Sequence, residues 1–306
     1  LKNKKLMGVA ITCCPGKKNG NDGQVIIDIQ QGQTNDKFEN IKTKTDTGNN
    51  FSTKKKESIH FDKSNFIRMK EDNIFDEYDL KNKLGEGAYG CVYKVQQKTT
   101  NFLRAVKAIK KKHVDYEEFN NEIEVLKALD HPNIIKLFDC YQDKRYYYMV
   151  EEYCSGGDLF DYIQKEKFFT EQKAGTIFNQ LLSAVNHLHK KNIVHRDLKP
   201  ENIVLIESGN NEVFIKLIDF GTSITIKGKN LTQELGTIYY IAPEVFMNNY
   251  NEKADIWSCG IILYTMLCGH PPFCGNKENI IKSKILHSKL VFPSKEFNKV
   301  SNEAIE

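Results

Sequence analysis

The chain has 306 residues, of which 40% are hydrophobic and 27% charged, and its net charge is +4. No run of 18 apolar residues occurs, so the sequence predicts no membrane-spanning helix, and no secretory h-region follows the basic start. Residues 1–60 carry 11 Lys against 6 Asp or Glu, and the remaining residues sum to −1. The positive charge therefore belongs to a tail, which argues against a nucleic-acid-binding face.

None of the eight cysteines forms a C-x₂-C pair, so no zinc site is predicted. The chain also lacks the dense cysteine spacing of small secreted domains. We therefore expect a reducing, cytoplasmic environment.

The chain opens with a segment, residues 1–57, that is rich in Asn, Lys, Gly, Thr and Gln. Such a segment buries too little apolar area to offset its ordering entropy, so it is predicted to be a disordered basic tail. The apolar run "QVIIDI" at 24–29 is the one reservation. A lead-in segment at 58–77 precedes the first clear strand.

Five strand patterns and one helix follow from residue 78. The strands are "YDLKNKLGEG", "CVYKVQQK", "LRAVKAIKK", "NIIKLFDCY" and "RYYYMVEEY". Between the third and the fourth, Phe119, Ile123, Leu126 and Leu129 recur at helical spacing. After residue 153 the helical period dominates, with a continuous apolar stripe over 174–188. The pattern predicts an α+β domain with a sheet-rich first lobe and a larger helical second lobe.

The segment "LGEGAYGCVYK" contains Gly85, Gly87 and Gly90 in a G-x-G-x-x-G pattern. Dinucleotide-binding folds use the same letters, but they place them at a strand-to-helix turn. Here the glycines lie between two strand patterns, which favours a glycine hairpin that lies close over phosphates.

A lysine and a glutamate follow the glycine segment at fitting intervals. Lys107 lies in "RAVKAIK" and fits the V-A-I-K position, although it could be a solvated lysine like Lys110 and Lys111. Glu122 shares the apolar face of the next helix, which makes it a candidate ion-pair partner. A helix glutamate considered alone is more often a surface residue.

The stretch "HRDLKPEN" at 195–202 matches H-R-D-L-x-x-x-N over eight residues, and "DFG" at 219–221 and "APE" at 242–244 follow in order. On these motifs residues 78–306 resemble a protein kinase domain, and Lys199 two residues after Asp197 is typical of the Ser/Thr type. "GGDLFDYI" and "GHPPFCG" resemble the calmodulin-kinase group. "SNFIRMKEDNIFDEYDL" and "GTIYYIAPEVF" are similar to the calcium-dependent protein kinases of plants and protists.

The resemblance implies a bilobal kinase fold, with a five-stranded antiparallel N-lobe containing one helix and a mainly helical C-lobe. It also implies ATP and Mg²⁺ as co-substrate and cofactor. Asp197 would accept the substrate proton, Lys199 would neutralise the transferred phosphoryl group, and Lys107, held by Glu122, would fix the α- and β-phosphates. Asn202 and Asp219 would hold magnesium. Thr237 would brace Asp197, and the catalytic loop would be anchored by Asp255. Adenine would contact the side chains of Leu84, Val92, Ala105 and Val204 and the backbone of Glu152 and Cys154.

The protein substrate is predicted to carry Arg or Lys before the phosphorylated residue. Asp158 and Glu201 occupy positions that face such side chains in related basophilic kinases, and carboxylates pair with guanidinium groups. The alternative for Asp158 is a helix cap, and the two interpretations have about equal weight.

Two residues depart from the family pattern. Glu151 lies at the rear of the adenine pocket, where a carboxylate needs a partner. We expect it to be hydrogen-bonded, in competition with Glu122 for Lys107. Gln233 stands where loop-activated kinases carry a phosphorylated Ser or Thr, although Thr232 is adjacent. Activation by loop phosphorylation is therefore not expected, and Arg196 with His195 leaves a positive pocket facing the segment.

The two ends of the chain raise further expectations. The resemblance places the last C-lobe helices and the partner of Glu244 beyond residue 306. No D-x-[DN]-x-[DN]-G loop occurs, so Ca²⁺ would act only through EF-hands outside this chain. "MGVAITCC" at 7–14 fits a myristoylation site at Gly8 if Met7 is the true start, although Met7 could be an internal methionine. Cys13 and Cys14 could then take palmitate, and Lys17 and Lys18 would add attraction to an anionic membrane.

The sequence thus predicts a monomeric Ser/Thr kinase that phosphorylates proteins, is regulated by calcium in its full-length form, and is tethered to the cytoplasmic face of a membrane. One alternative is a pseudokinase or scaffold, supported by Glu151. Another is a calmodulin-dependent or calcium-independent kinase.

Overall fold

The computed structural model describes residues 67–87, 89–207, 212–226 and 228–306. The predicted tail at 1–57, the lipidation residues Gly8, Cys13 and Cys14, and residues 58–66 of the lead-in lie outside the described residues. The described parts all belong to one compact unit that continues to Glu306.

The first lobe is built on a six-stranded sheet in the order β1-β5-β6-β4-β3-β2. Five of its strands, β2 to β6, pair antiparallel, as predicted. The strand bounds are β1 Met69–Lys70, β2 Tyr78–Glu86, β3 Gly90–Gln97, β4 Leu103–Lys110, β5 Leu137–Gln142 and β6 Tyr146–Glu152.

The lead-in adds two elements that the sequence analysis did not predict: β1, which runs parallel to β5, and the short helix α1, Ile74–Glu77. Polar contacts fix them to the sheet. The Lys70 ammonium lies 3.0 Å from the Asp139 carboxylate and 3.1 Å from Glu77, and the Tyr78 hydroxyl donates to Asp139 at 2.7 Å. A strand of two residues shows no alternation, which is why its pattern was invisible.

The helix of the first lobe, α2, runs over Tyr116–Ala128. The Asp115 carboxylate caps it by accepting from the Glu118 amide at 2.8 Å. Phe119, Ile123 and Leu126 are buried on its inner face, and Glu122 is buried with them. The face that predicted the helix therefore also places the Glu122 carboxylate inward.

The second lobe is mainly helical and surrounds the longest described helix, α4. Most of its predicted apolar stripe is buried, and Phe178 and Leu182 are partly buried. Two small sheets, β7 with β10 and β8 with β9, flank the "HRD" and "DFG" segments. The bounds are α3 Leu159–Glu166, α4 Glu171–Lys190, β7 Ile193–Val194, β8 Ile203–Glu207, β9 Val213–Leu217, β10 Ile224–Thr225, α5 Lys253–Cys268, α6 Glu278–His287, α7 Ser294–Phe297 and α8 Asn302–Ile305, with 3₁₀ turns at Pro200–Asn202, Ile238–Tyr240 and Val245–Met247.

The end of α5 shows why a glycine is needed there. Gly269 has φ +90°, and its amide donates to the Thr265 carbonyl at 2.7 Å. A Cβ at this position would lie 2.2 Å from the Lys167 carbonyl oxygen. Among the helices of the described chain, none has both the length and the apolar character needed to cross a membrane.

Candidate active site

The glycine segment joins β2 to β3 as a hairpin, as its flanking strand patterns predicted. The Gly87 amide donates to the Gly90 carbonyl at 2.9 Å. Gly90 must lack a side chain, because a Cβ would lie 1.8 Å from the Ala108 carbonyl oxygen on β4, whereas Gly85 and Gly87 face open space. The hairpin therefore leaves room for a ligand to approach its backbone closely.

Lys107 on β4 stands at the centre of a charge cluster between the lobes. Its Nζ lies 2.7 Å from Glu122 Oε1 and 2.7 Å from Asp219 Oδ1. Burial opposes the charge on Lys107, but Asp219 and Glu122 outweigh it and raise the pKa of the lysine well above its usual value. In turn the lysine lowers the pKa of Asp219 to about 2. The charged forms of Lys107 and Asp219 thus stabilise each other, whereas burial raises the pKa of Glu122. The cluster brings together the predicted Lys107, Glu122 and Asp219.

The Asp197 carboxylate is held from both sides. The Thr237 hydroxyl donates to Oδ1 at 2.9 Å, and the Lys199 ammonium donates to Oδ2 at 2.8 Å and to the Thr237 hydroxyl oxygen at 2.9 Å. Asn202 donates its side-chain amide to the Asp197 carbonyl oxygen at 2.8 Å. Four residues predicted to act together therefore form one hydrogen-bonded group around a single carboxylate.

Asp255 anchors the loop that carries this group. Its side chain is 1% exposed and accepts from the backbone amides of His195 at 2.9 Å and Arg196 at 3.0 Å. Its Oδ2 also lies 2.8 Å from His189 Nε2. Arg196 has φ +70°, which is uncommon for a residue with a side chain. The buried carboxylate therefore fixes a strained stretch of backbone just before Asp197.

Arg196 links this loop to the segment between DFG and APE. Its Nη1 donates to the Gln233 side-chain oxygen at 3.1 Å, and its Nε donates to the Thr222 carbonyl at 2.6 Å. The Tyr250 hydroxyl donates to the Gln233 carbonyl at 2.8 Å. The uncharged Gln233 side chain thus contacts Arg196 from the position where loop-activated kinases carry a phosphorylated Ser or Thr.

The residues predicted to enclose adenine come from both lobes. Leu84, Val92 and Ala105 lie on the adjacent strands β2, β3 and β4, and Val204 lies on β8 of the second lobe. Glu152 ends β6 and Cys154 follows it. The predicted adenine contacts therefore come from five strands, β2, β3, β4, β6 and β8, and from the segment that follows β6.

A family model described as "Protein kinase domain" matches residues 78–306. The chain belongs to the protein kinases. It is also similar to calcium-dependent protein kinase 5 of Plasmodium falciparum (39% identity over 95% of this chain and 52% of the relative) and of Plasmodium berghei (43% over 81% and 45%). Calcium-dependent protein kinase 4 of Plasmodium falciparum is 46% identical over 78% of this chain and 46% of the relative. The chain spans about half the length of these curated relatives, and the resemblance to calcium-dependent protein kinases noted in the sequence is confirmed.

The sequence analysis missed one ion pair of this kinase. Lys216 on β9 is 5% exposed, and its Nζ lies 2.8 Å from Glu152 Oε2. The pair joins the end of β6 to β9, the strand that leads into "DFG", so it ties the connection between the lobes to the segment that carries Asp219. The sequence did contain a signal for this ion pair, the lysine among apolar residues in "VFIKLIDF", because a buried lysine requires a partner.

Glu151, the residue at the rear of the adenine pocket, does not follow the prediction. Its carboxyl group makes no hydrogen bond with the described residues, because the Lys107 ammonium is already bound to Glu122 and Asp219. Burial raises the pKa of Glu151 to about 8, despite the opposing attraction of Lys107. The expected hydrogen bond is therefore wrong, and protonation keeps the group neutral at pH 7 instead.

The two predicted substrate carboxylates lie near each other, beside the catalytic loop. Asp158 Oδ1 accepts from the Asp161 amide at 2.8 Å, so the helix-cap interpretation of this residue is what the structure shows directly. Glu201 Oε2 is buried and has no hydrogen-bond partner among the described residues. Burial raises the pKa of both carboxyl groups. The Asp197 and Asp158 carboxylates raise the pKa of Glu201 further, and the Lys199 ammonium opposes them.

Asn202 and Asp219 suit a magnesium ion. The structure offers a carboxylate held ionised by Lys107 and an amide oxygen on the catalytic loop, which are hard oxygen donors. Two protein ligands fit Mg²⁺, which retains waters and binds substrate phosphates. Asp219 also has φ +63°, so its orientation is set by the surrounding structure rather than by local preference.

Proposed function

We propose that the protein is a Ser/Thr protein kinase that transfers the γ-phosphate of ATP to hydroxyl groups of protein substrates. The observation that carries this proposal is the Asp197 carboxylate, held between Thr237 at 2.9 Å and Lys199 at 2.8 Å. A carboxylate in this position is oriented to accept a proton from a hydroxyl nucleophile.

The residues divide the reaction between them. As the substrate oxygen bonds to the γ-phosphorus, its proton passes to Asp197, and the bond from the γ-phosphorus to the bridging oxygen breaks to release ADP. Lys199 neutralises charge on the transferred group, and Lys107 with Glu122 holds the remaining phosphates. Asn202 and Asp219 would hold the magnesium ion, which would supply further charge neutralisation when bound.

The substrates are proposed to carry Arg or Lys before the phosphorylated residue. Support comes from Glu201, whose Oε2 is buried without a partner among the described residues, and from the neighbouring Asp158. A guanidinium group would satisfy that oxygen. Replacing Glu201 with Gln should raise KM for an Arg-containing serine peptide more than KM for its Ala-substituted counterpart; an equal effect on both peptides would contradict the proposal.

Calcium regulation is proposed for the full-length protein, in line with the calcium-dependent protein kinases it resembles. The test is transfer of labelled γ-phosphate from Mg-ATP to an Arg-containing serine peptide. The samples are this chain, its Asp197→Asn variant and a longer natural chain, each with and without Ca²⁺. Activity that Ca²⁺ controls only in the longer chain and that Asp197→Asn abolishes is the expected result. Activity indifferent to Ca²⁺ in every form would favour a calcium-independent kinase.

A pseudokinase is the second candidate, and Glu151 is the observation that favours it. A buried carboxyl group at the rear of the nucleotide pocket could weaken ATP binding without removing it. Nucleotide binding with no transfer in any form of the protein would establish this candidate.

Membrane tethering is also proposed. A chain synthesised from Met7 would present Gly8 for myristoylation, with Cys13 and Cys14 as palmitoylation sites. One acyl chain binds a bilayer weakly, so both signals are required. Expression in eukaryotic cells followed by mass spectrometry of the first peptide tests the idea, and a Gly8→Ala variant that sediments with membranes as well as the parent protein would contradict it.

A further inference from the structure

Residues 152–158, which we call the connecting segment, lead from the end of β6 in the first lobe to the start of α3 in the second. The far end of this segment is bound to the β8-β9 hairpin. The Gly156 amide donates to the Leu205 carbonyl at 2.9 Å, and the Leu205 amide donates to the Gly157 carbonyl at 2.8 Å. The backbone of β8 therefore fixes the place where the segment enters the second lobe.

The near end of the connecting segment is bound to the same hairpin by a side chain. Lys216 on β9 stands opposite Val204 on β8, so the two side chains share one face of the hairpin. Its neighbours Ile215 and Leu217 are 0% exposed and lie on the other face. The strand register thus directs one charged side chain out of the apolar core, and its ammonium lies 2.8 Å from the Glu152 carboxylate.

This contact is a charge pairing in a nearly dry place. Lys216 is 5% exposed, and Glu152 Oε2 is buried and receives no well-directed hydrogen bond from the described residues. The lysine charge is therefore what offsets the burial of that oxygen. The Glu152 backbone is held as well, because its amide donates to the Lys136 carbonyl at 2.9 Å. Glu152 is thus fixed through both its side chain and its main chain.

The backbone between the two attachments is left open. Within the part of the chain that the structure describes, the amides and carbonyls of Tyr153, Cys154 and Ser155 make no hydrogen bonds. Donors and acceptors that alternate along such a backbone suit the edge of a flat heterocycle. Adenine presents an amino group that donates and a ring nitrogen that accepts. Hydrogen bonds of this kind weaken steeply when their angles change, so the position of the segment matters.

We propose that Lys216 is a positioning residue for adenine, which acts through Glu152 to hold the backbone of residues 153–155 in register with the purine edge. Lys216 itself does not touch the nucleotide. The β8 attachment fixes one end of the segment, and the ion pair fixes the end that the ring would meet first. The inference rests on the proposed function only in taking an adenine nucleotide as the ligand.

The test measures binding of two nucleotides to the full chain by calorimetry with Mg²⁺ present. One is ADP, and the other is purine riboside 5′-diphosphate, which lacks the amino group. The variants are Lys216→Met and the double variant Lys216→Met with Glu152→Met. Lys136→Met, the loss of an exposed lysine next to the same segment, is the matched control. Urea unfolding of each form reports stability separately from binding.

Stability and positioning predict different results for the double variant. Lys216→Met should lower the urea midpoint because it leaves a buried carboxylate unpaired, and Glu152→Met should restore the midpoint by removing that charge. The parent protein should bind ADP about tenfold more tightly than the analogue. That ratio should fall by about threefold or more in both the single and the double variant, and Lys136→Met should change neither the midpoint nor the ratio.

A double variant that regains both the parent midpoint and the parent ratio would overturn the proposal, because the pair would then be structural only. An equal loss of affinity for both nucleotides, or no binding of either nucleotide by any form, would overturn it too. In forms that transfer phosphate, KM for ATP should rise with the loss of the ratio while kcat changes less than about twofold. If the ratio falls as expected while no form transfers phosphate, the positioning role stands and the proposed function fails.

Discussion

Replacing Asp255 with Ala should destabilise the domain strongly, although the residue lies outside the substrate cleft. The substitution removes the acceptor of two backbone amides, those of His195 and Arg196, at 2.9 and 3.0 Å. A buried donor left without a partner costs about 1–3 kcal/mol, so two donors predict a loss of roughly 2–6 kcal/mol in the free energy of unfolding. That is a large part of the 5–15 kcal/mol typical of a domain.

Urea unfolding measures this loss, and the single tryptophan, Trp257, supplies a fluorescence signal from the same helix. Asp255→Asn keeps one acceptor oxygen and should lose about half as much. Asp161→Ala, an exposed aspartate on α3, should change the free energy of unfolding by less than about 0.5 kcal/mol. A loss below about 1 kcal/mol for Asp255→Ala would refute the anchoring argument, because it would mean that the two amides find other partners.

Three further outcomes are expected. Asp197→Asn should lower kcat by about 10²–10⁴-fold with little change in nucleotide affinity, measured by peptide phosphorylation and nucleotide titration; a similar kcat would remove Asp197 from proton transfer. Glu151 has a pKa of about 8 in the folded protein against 4.5 ordinarily, so its contribution to stability is full below pH 4.5 and is lost as pH rises to 8. The free energy of unfolding of Glu151→Gln, measured with urea, should lack this decline. Parallel pH profiles of that free energy for the variant and the parent protein would contradict the assignment. Gly90→Ala should destabilise the domain by about 1–3 kcal/mol because its Cβ would collide with the Ala108 carbonyl, whereas Gly87→Ala should not destabilise it. Equal melting temperatures for the two variants would contradict this collision.

The sequence predicted the parts of the kinase that depend on local pattern and motif order. The five strands and the inward placement of Glu122 followed from periodicity, and the antiparallel pairing of the strands followed from the resemblance. The structure confirms all three. The grouping of Asp197 with Thr237 followed from the resemblance, because forty residues separate the two in the chain and only the tertiary fold brings them to 2.9 Å.

The features that escaped prediction are set by tertiary contacts. The two-residue strand β1 exists because β5 offers an open edge and Lys70 finds Asp139. The Lys216–Glu152 pair joins residues from different lobes. Glu151 was expected to find a hydrogen bond, but the competition for Lys107 was decided by Asp219, whose position no local pattern reveals.

The contact between Arg196 and Gln233 bears on how the protein is switched in a cell. In this domain the arginine beside the catalytic aspartate is satisfied by an amide that is encoded in the gene. Such a contact needs no upstream enzyme to create it and no phosphatase can erase it. The backbone geometry that Arg196 sets just before Asp197 is therefore available as soon as the chain has folded.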